Sequence, residues 1–252
     1  MSWAERRKRM IIGGAISALI VFFIIPSFFI LRNKPTCSNG EQDSGESGVD
    51  CGGSCRLVCE GDALAPLIHF TRALEVSSGI WGAVVSLENQ NKDAGSTSAV
   101  YVVKLYDADN LLVAERHGTV YIPPNKIFAV FEGALDVGWR VPTRATFEFT
   151  APIRFETMAP DPVIDIRSKR FTQSVDGSRL DVSLYNPART AVQESEFVAL
   201  LFDSTGNVFA SSATSVKDLS ALSSTNISFT WPRELQDPAR IEVLSTVSGV
   251  HP

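Results

Sequence analysis

The chain has 252 residues, 44% of them hydrophobic and 9% aromatic, with 28 acidic against 23 basic side chains. The charge is divided unevenly: residues 1–34 hold six basic and one acidic residue, a net of +5, which leaves 17 basic and 27 acidic residues, a net of −10, for the rest. So acidic a remainder disfavours nucleic acid as a partner and suits a soluble surface module.

Residues 1–9 form a basic tail, with Arg6, Arg7, Lys8 and Arg9 in succession. Met10–Leu31 then runs 22 residues without a charge. As a helix at ~1.5 Å per residue it reaches about 33 Å, enough for a hydrocarbon core of about 30 Å. The lipid bilayer is therefore the expected partner of residues 10–31. The basic excess on the N-terminal side predicts a cytoplasmic N-terminus and an extracytoplasmic remainder. Pro26 predicts a kink or the end of regular helix. A cleaved signal peptide would have a shorter apolar run and a small-residue cleavage site. Phe28-Phe-Ile-Leu-Arg32 offers no such site.

Residues 32–62 form a stalk rich in Gly, Ser and acidic side chains. All four cysteines lie here: Cys37, Cys51, Cys55 and Cys59. The segment is too polar to bury a core and needs covalent staples. Outside the cytoplasm two disulfides are the natural reading, with three pairings open. The cysteine spacings lack the paired knuckles of a structural zinc site. Asn39, Asp43, Glu46 and Asp50 place several oxygens in one loop and make a candidate calcium site. Otherwise these carboxylates solvate a glycine-rich loop, and no other cofactor is expected. The run Cys37, Asn39-Gly40, Glu46-Ser-Gly-Val-Asp-Cys51-Gly-Gly-Ser-Cys55 resembles a small Cys-rich module of microbial surface proteins, which implies a cell-surface location and no particular activity.

From residue 63 short alternating runs recur, and no long helical stripe follows the apolar segment. Leu180, Val182 and Leu184 share one face of a strand while Arg179, Asp181 and Ser183 share the other. The chain also repeats itself. Val85-Ser-Leu-Glu-Asn89 matches Val182-Ser-Leu-Tyr-Asn186, and Val103-Lys-Leu-Tyr-Asp107 matches Ala199-Leu-Leu-Phe-Asp203, at offsets of 96 to 98 residues. One β-sandwich is about 100 residues. The expected fold is all-β, two tandem sandwiches over 63–157 and 158–252, joined by Thr157-Met-Ala-Pro-Asp-Pro162 as a semi-rigid link.

Seven strands are expected in each unit. The first set falls near 67–75, 80–88, 98–106, 110–115, 117–122, 126–132 and 143–150. The second falls near 163–170, 179–185, 195–202, 207–211, 213–217, 225–231 and 239–246. Asp107–Asn110 and Asp203–Asn207 read as hairpin turns. Asn89 and Asn186, at equivalent strand ends, are expected to satisfy local backbone groups. Leu87-Glu-Asn89 with Leu105-Tyr-Asp107, and Leu184-Tyr-Asn186 with Leu201-Phe-Asp203, resemble bacterial Ig-like domains of the FxLYD type. That resemblance implies an Ig-like fold and an extracytoplasmic location, and assigns no chemistry.

No nucleophile elbow, metalloprotease helix, phosphate loop or dinucleotide fingerprint is present, and His69, His117 and His251 are far apart in sequence. The chain is therefore read as a non-enzyme. It is expected to act as a membrane-anchored binding or structural protein of the cell envelope, with an envelope protein as partner. A subunit of a secretion or pilus-like complex is the alternative, and an envelope enzyme the third reading. Acidic pairs such as Asp161/Asp165 and Glu194/Glu196 are expected to be ordinary exterior charges.

Overall fold

The structure is a computed structural model that describes residues 3–27 and 36–247. It falls into two compact units, 1–55 and 56–252.

The first unit opens with helix α1, Trp3–Leu19. It passes into a π-helical turn at Ile20–Ile24 and regains α geometry through Ser27. Together Trp3–Ser27 make 25 helical residues, long and apolar enough to cross a membrane. A signal sequence has the same properties. No side chain of α1 is buried against protein. Pro26 lies inside the described helix, just after a break in regular α geometry: the Ile25 N–H reaches back to the Ile20 carbonyl, five residues earlier. Proline's ring crowds the carbonyl four residues before it, and a widened turn relieves that clash. Residues 28–31 of the expected span lie outside the described residues.

The second unit is all-β. In the first repeat, β1 (Leu67–Ser77), β2 (Ile80–Asn89) and β5 (Lys126–Asp136) form one sheet. The facing sheet has β3 (Ala94–Tyr106) between β4 (Leu112–Ile122) and β6 (Arg144–Phe149). A two-residue β7, Glu156–Thr157, pairs with the start of β3. The second repeat rebuilds this order with β8 (Asp165–Ser174), β9 (Gly177–Tyr185), β10 (Val192–Phe202), β11 (Val208–Leu219), β12 (Ser224–Trp231) and β13 (Arg240–Val247). Its sheets run β12-β9-β8 and β11-β10-β13.

Alternation builds each interior. Val85 and Leu87 of β2, Tyr101, Val103 and Leu105 of β3, and Phe128 of β5 meet in the first sandwich. Leu180, Val182, Leu184, Phe197, Leu201, Phe229 and Trp231 meet in the second.

Each sandwich has six principal strands, not seven. The runs expected at 110–115 and 117–122 are one strand, β4, and those at 207–211 and 213–217 are one strand, β11. Gly118 does not mark a turn. A Cβ there would lie 2.4 Å from the Tyr101 hydroxyl oxygen, so the glycine makes room for that ring.

The sandwiches are not strung end to end through a stiff link. They stack face to face. Leu74 (β1), Val84 (β2) and Ala129 (β5) form one buried cluster with Val198, Leu200 and Phe202 (β10) and Val208 (β11). The run Phe197-Val-Ala-Leu-Leu-Phe202 has no polar alternate because both of its faces are interior. Phe202 therefore belongs to the joint between sandwiches and not to a sandwich core.

Both sandwiches point the same way. Arg233, beyond β12, donates to the Glu75 carbonyl near the end of β1 at 3.1 Å. At the opposite end Lys126, which opens β5, lies 3.4 Å from Ser245 near the end of β13.

Candidate functional site

The cysteine loop is oxidised. Cys37 pairs with Cys55, Cys51 and Cys59 are also disulfide-bonded, and no cysteine is free. Of the three pairings open to the sequence, the fold takes the one that contains Cys37–Cys55. The four oxygen-bearing residues considered for calcium gather within this loop, and each accepts hydrogen bonds from it. Asp50 accepts the N–H groups of Asn39 and Gly40, both at 2.8 Å. Asp43 accepts the Thr36 N–H and the Asn39 side-chain amide. Glu46 Oε2 accepts the N–H groups of Asp43 and Asp50, and Asn39 Oδ1 accepts that of Glu41. A loop with so little apolar surface uses its carboxylates where a larger domain would use secondary structure. Cys37, Glu46 and Cys55 lie close enough to resemble a metal group, but the two sulfurs are bonded to each other and are not thiolates.

Asn89 and Asn186 do in both copies what their strand-end position suggests. Each is fully buried. The Asn89 amide donates to the carbonyls of Ala94 (2.7 Å) and Pro123 (2.8 Å), and its oxygen accepts the Asn91 N–H. The Asn186 amide faces the carbonyls of Thr190, Leu219 and Ser220, and its oxygen accepts the Ala188 N–H. Each asparagine ties the loop after its strand to the end of a strand in the other sheet.

At the opposite end of each sandwich is an aspartate-capped hairpin. Asp107 Oδ1 accepts the N–H groups of Asp109 and Leu111, and Asp203 Oδ1 those of Thr205 and Asn207. The left-handed residue of the turn is Gly206 in the second copy (φ +85°) and Asn110 in the first (φ +59°). Asparagine tolerates that conformation better than other non-glycine residues, which explains the missing glycine. The Leu111 N–H, with the Arg140 guanidinium as a further cause, holds the Asp107 carboxyl below the usual carboxylate range. The Thr205 hydroxyl, then the Asn207 N–H, do the same for Asp203. Behind each hairpin an arginine lies on an aromatic ring across the strand pair: Arg144 on Tyr106 at 4.4 Å and Arg240 on Phe202 at 3.6 Å.

Of the acidic residues read as exterior charges, Glu194 and Glu196 lie on the exterior and Asp165 is partly exposed, whereas Asp161 behaves differently. The Asp161 side chain is only 3% exposed. It accepts the Tyr121 hydroxyl at 2.8 Å, the Lys126 ammonium at 3.0 Å and the Val247 N–H at 3.2 Å, so β4, β5 and β13 converge on one carboxylate. The sequence signal was weak: an aspartate between two prolines looks like a loop residue. Close by, Tyr101, Tyr121, Glu132, Glu196 and Thr246 line a cleft of about 350 Å³. Tyr101 donates to Glu132 at 2.5 Å. Burial, then this bond to Glu132, raises the Tyr101 hydroxyl's pKa. Partial desolvation in the cleft also raises that of Glu196, whose residue surface is otherwise exposed, with the Glu132 charge adding to it. The site suits a structural joint, because Tyr101, Tyr121 and Lys126 each donate to a protein carboxylate.

The described histidines sit on strands beside glutamates. His69 lies 3.0 Å from Glu88, and His117 lies 3.8 Å from Glu115. The histidine side chains are 36% and 62% exposed. His251 lies outside the described residues.

No family profile matches the chain, and no curated protein does. Among solved structures, a red sea bream transglutaminase is similar at 12% identity and a TM-score of 0.22. The match covers 76% of this chain and 31% of that one, so the chain spans about a third of the protein it matches.

Proposed function

We propose that this chain is a single-pass membrane protein with its N-terminus in the cytoplasm, and that it displays a disulfide-stapled stalk and a stacked pair of Ig-like sandwiches outside. Its role is binding or scaffolding at the cell envelope through non-covalent contacts of loop ends and sheet edges. The observation that carries this reading is the apolar helix Trp3–Ser27, with no residue of α1 buried against protein, followed by four oxidised cysteines. A helix of that kind is stable in lipid, and disulfides persist in an oxidising compartment.

Two measurements on cells that make the protein test this. Protease added to cells with a permeabilised outer layer and an intact inner membrane should remove the β unit and leave the basic N-terminal tail, followed through an added epitope, protected. Thiol labelling under non-reducing conditions should find no reactive cysteine. A protected β unit, or four labelled thiols, overturns the proposal.

Membership of a larger membrane complex is the second reading. Gly13, Gly14, Ser17 and Ala18 favour it, because small residues one helical turn apart, on a helix with no buried residue, let a partner helix approach closely. Replacing residues 10–27 with an unrelated apolar helix separates the two readings. Loss of co-purifying partners supports the complex, and retention supports binding through the β unit.

A further inference from the structure

We infer that the end of the first sandwich formed by the 107–112 and 136–143 loops is a docking surface for a second protein, one that offers an apolar pocket to Trp139 and a carboxylate at the pocket rim to Arg144. The inference deepens the binding-module reading above and rests on it.

Four apolar side chains project at this end. Trp139 is 86% exposed, Val141 61%, and Leu111 and Leu112 50% each. They are held on a stiff support. Arg140 is paired with Asp107 across the two loops and lies 4.8 Å from the Trp139 ring. The Thr143 N–H donates to the Tyr106 carbonyl at 2.8 Å, and the Gly138 N–H to Asp136 at 3.0 Å. Exposed apolar groups on a preorganised loop lose little freedom on binding. Tryptophan and arginine are the residue types that most often anchor protein interfaces.

The second repeat serves as an internal control. It builds the same aspartate-capped hairpin with Ser204, Thr205, Gly206 and Asn207, and Asn207 stands where the first copy has Leu111. In its 232–239 loop Leu235 is turned inward and is 4% exposed. Arg240 is paired with Glu242 two residues on. The equivalent Arg144 has Thr146 at that position, and its contacts are neutral: the Tyr106 ring and the Asn110 side-chain oxygen. The fold therefore needs neither the exposed apolar cluster nor a cation without a carboxylate. Both occur together in one copy only.

Position selects a protein over the chain's own bilayer. The chain enters the β unit where Leu57 bridges Glu156 and β7 pairs with Ala94–Gly95, at the start of β3. The docking end lies at Tyr106, the other end of that strand. Twelve residues at about 3.3 Å each separate them by roughly 40 Å. Within the β unit, this end is therefore the one remote from the point where the chain enters it.

The test uses the full-length protein in its native envelope, with photoreactive benzoylphenylalanine placed at Leu112 or, as the comparison, at Thr205. Illumination should give one discrete protein adduct from position 112 and none from 205. Adding Trp139→Ser should cut the yield at least tenfold, and Arg144→Gln should cut it several-fold. Both variants should keep the unfolding midpoint, which shows that they fold. An adduct with lipid alone, an adduct between two copies of this chain, or a yield unchanged by Trp139→Ser overturns the inference. Adducts from 205 but not from 112 also overturn it, yet leave the binding-module reading standing. No adduct from either position, nor from probes spread over the sheet faces, removes both.

Discussion

Replacing Asn186 with alanine should be among the most damaging polar truncations in the β unit. Its amide reaches the Thr190, Leu219 and Ser220 carbonyls at 2.9, 3.0 and 3.2 Å, and its oxygen accepts the Ala188 N–H at 2.9 Å. Leu219 is 1% exposed, so water cannot replace the lost donor at its carbonyl. The Thr190 and Ala188 sites lie nearer solvent and recover part of their loss. One fully orphaned buried acceptor costs about 1–3 kcal/mol, and a partly compensated N–H adds a fraction of that. We expect a total of about 3 kcal/mol. For a domain of this size each kcal/mol lowers the midpoint by about 2–4 °C, so the expected fall is about 6–12 °C. Thermal unfolding of the intact protein in detergent, followed by near-ultraviolet circular dichroism, would read it through Trp231, which is packed in the same sandwich. Asn186→Asp should be at least as harmful, because a carboxylate cannot donate to those carbonyls. A loss below about 1 kcal/mol for Asn186→Ala, or a harmless Asn186→Asp, would refute the assignment of Asn186 as the tie between loop and opposite sheet.

Three further outcomes follow from the joint between sandwiches. Leu200→Ala removes a side chain 1% exposed in the shared cluster and should cost about 2–5 kcal/mol, read by urea unfolding. A cost under 1 kcal/mol would mean that the faces are not packed in solution. Asp161→Asn removes the charge facing Lys126 in a 3%-exposed position and should cost about 1–3 kcal/mol, because the Lys126 ammonium is 26% exposed and recovers part of its hydration, read by the same urea unfolding. Glu196 titrates higher in the folded protein than in the unfolded chain, because partial desolvation in the cleft and then the Glu132 charge oppose its ionisation. Its contribution to stability is complete below the unfolded value of about 4.3 and is lost as pH rises through the folded value. Glu196→Gln should therefore raise the unfolding midpoint at pH 7 and leave it almost unchanged at pH 4. An equal effect at both pH values would contradict this. Glu132, across the same cleft, is the charged group that acts on Glu196.

Much of this architecture was legible one residue at a time. A 22-residue run without charge needs only length and composition to be read as a helix of membrane-spanning length. Period-two alternation placed most strands within a few residues, because the inward set of a sandwich face is a local property of the chain. The repeated asparagines and aspartates were visible as pairs, since each caps groups within a few positions of itself. Their partners in the opposite sheet, such as the Pro123 carbonyl for Asn89, were not visible. The disulfide pairing was undetermined, because four cysteines in a flexible glycine-rich stretch can meet in more than one way.

What only the tertiary structure decided is how two faces, each already amphipathic, use their outer sides. Val84 and Ala129 in one repeat, and Val198, Leu200 and Phe202 in the other, are outward-facing in their own sandwiches and become interior only because the sandwiches stack. That contact joins residues about seventy or more positions apart, so no short window of sequence contains it. The same long-range closure turns Asp161 from a loop charge into the buried acceptor of three strands. It also leaves Trp139 bare at one end. Local chemistry names the strands and their turns, whereas the burial of a face depends on what arrives from elsewhere to cover it.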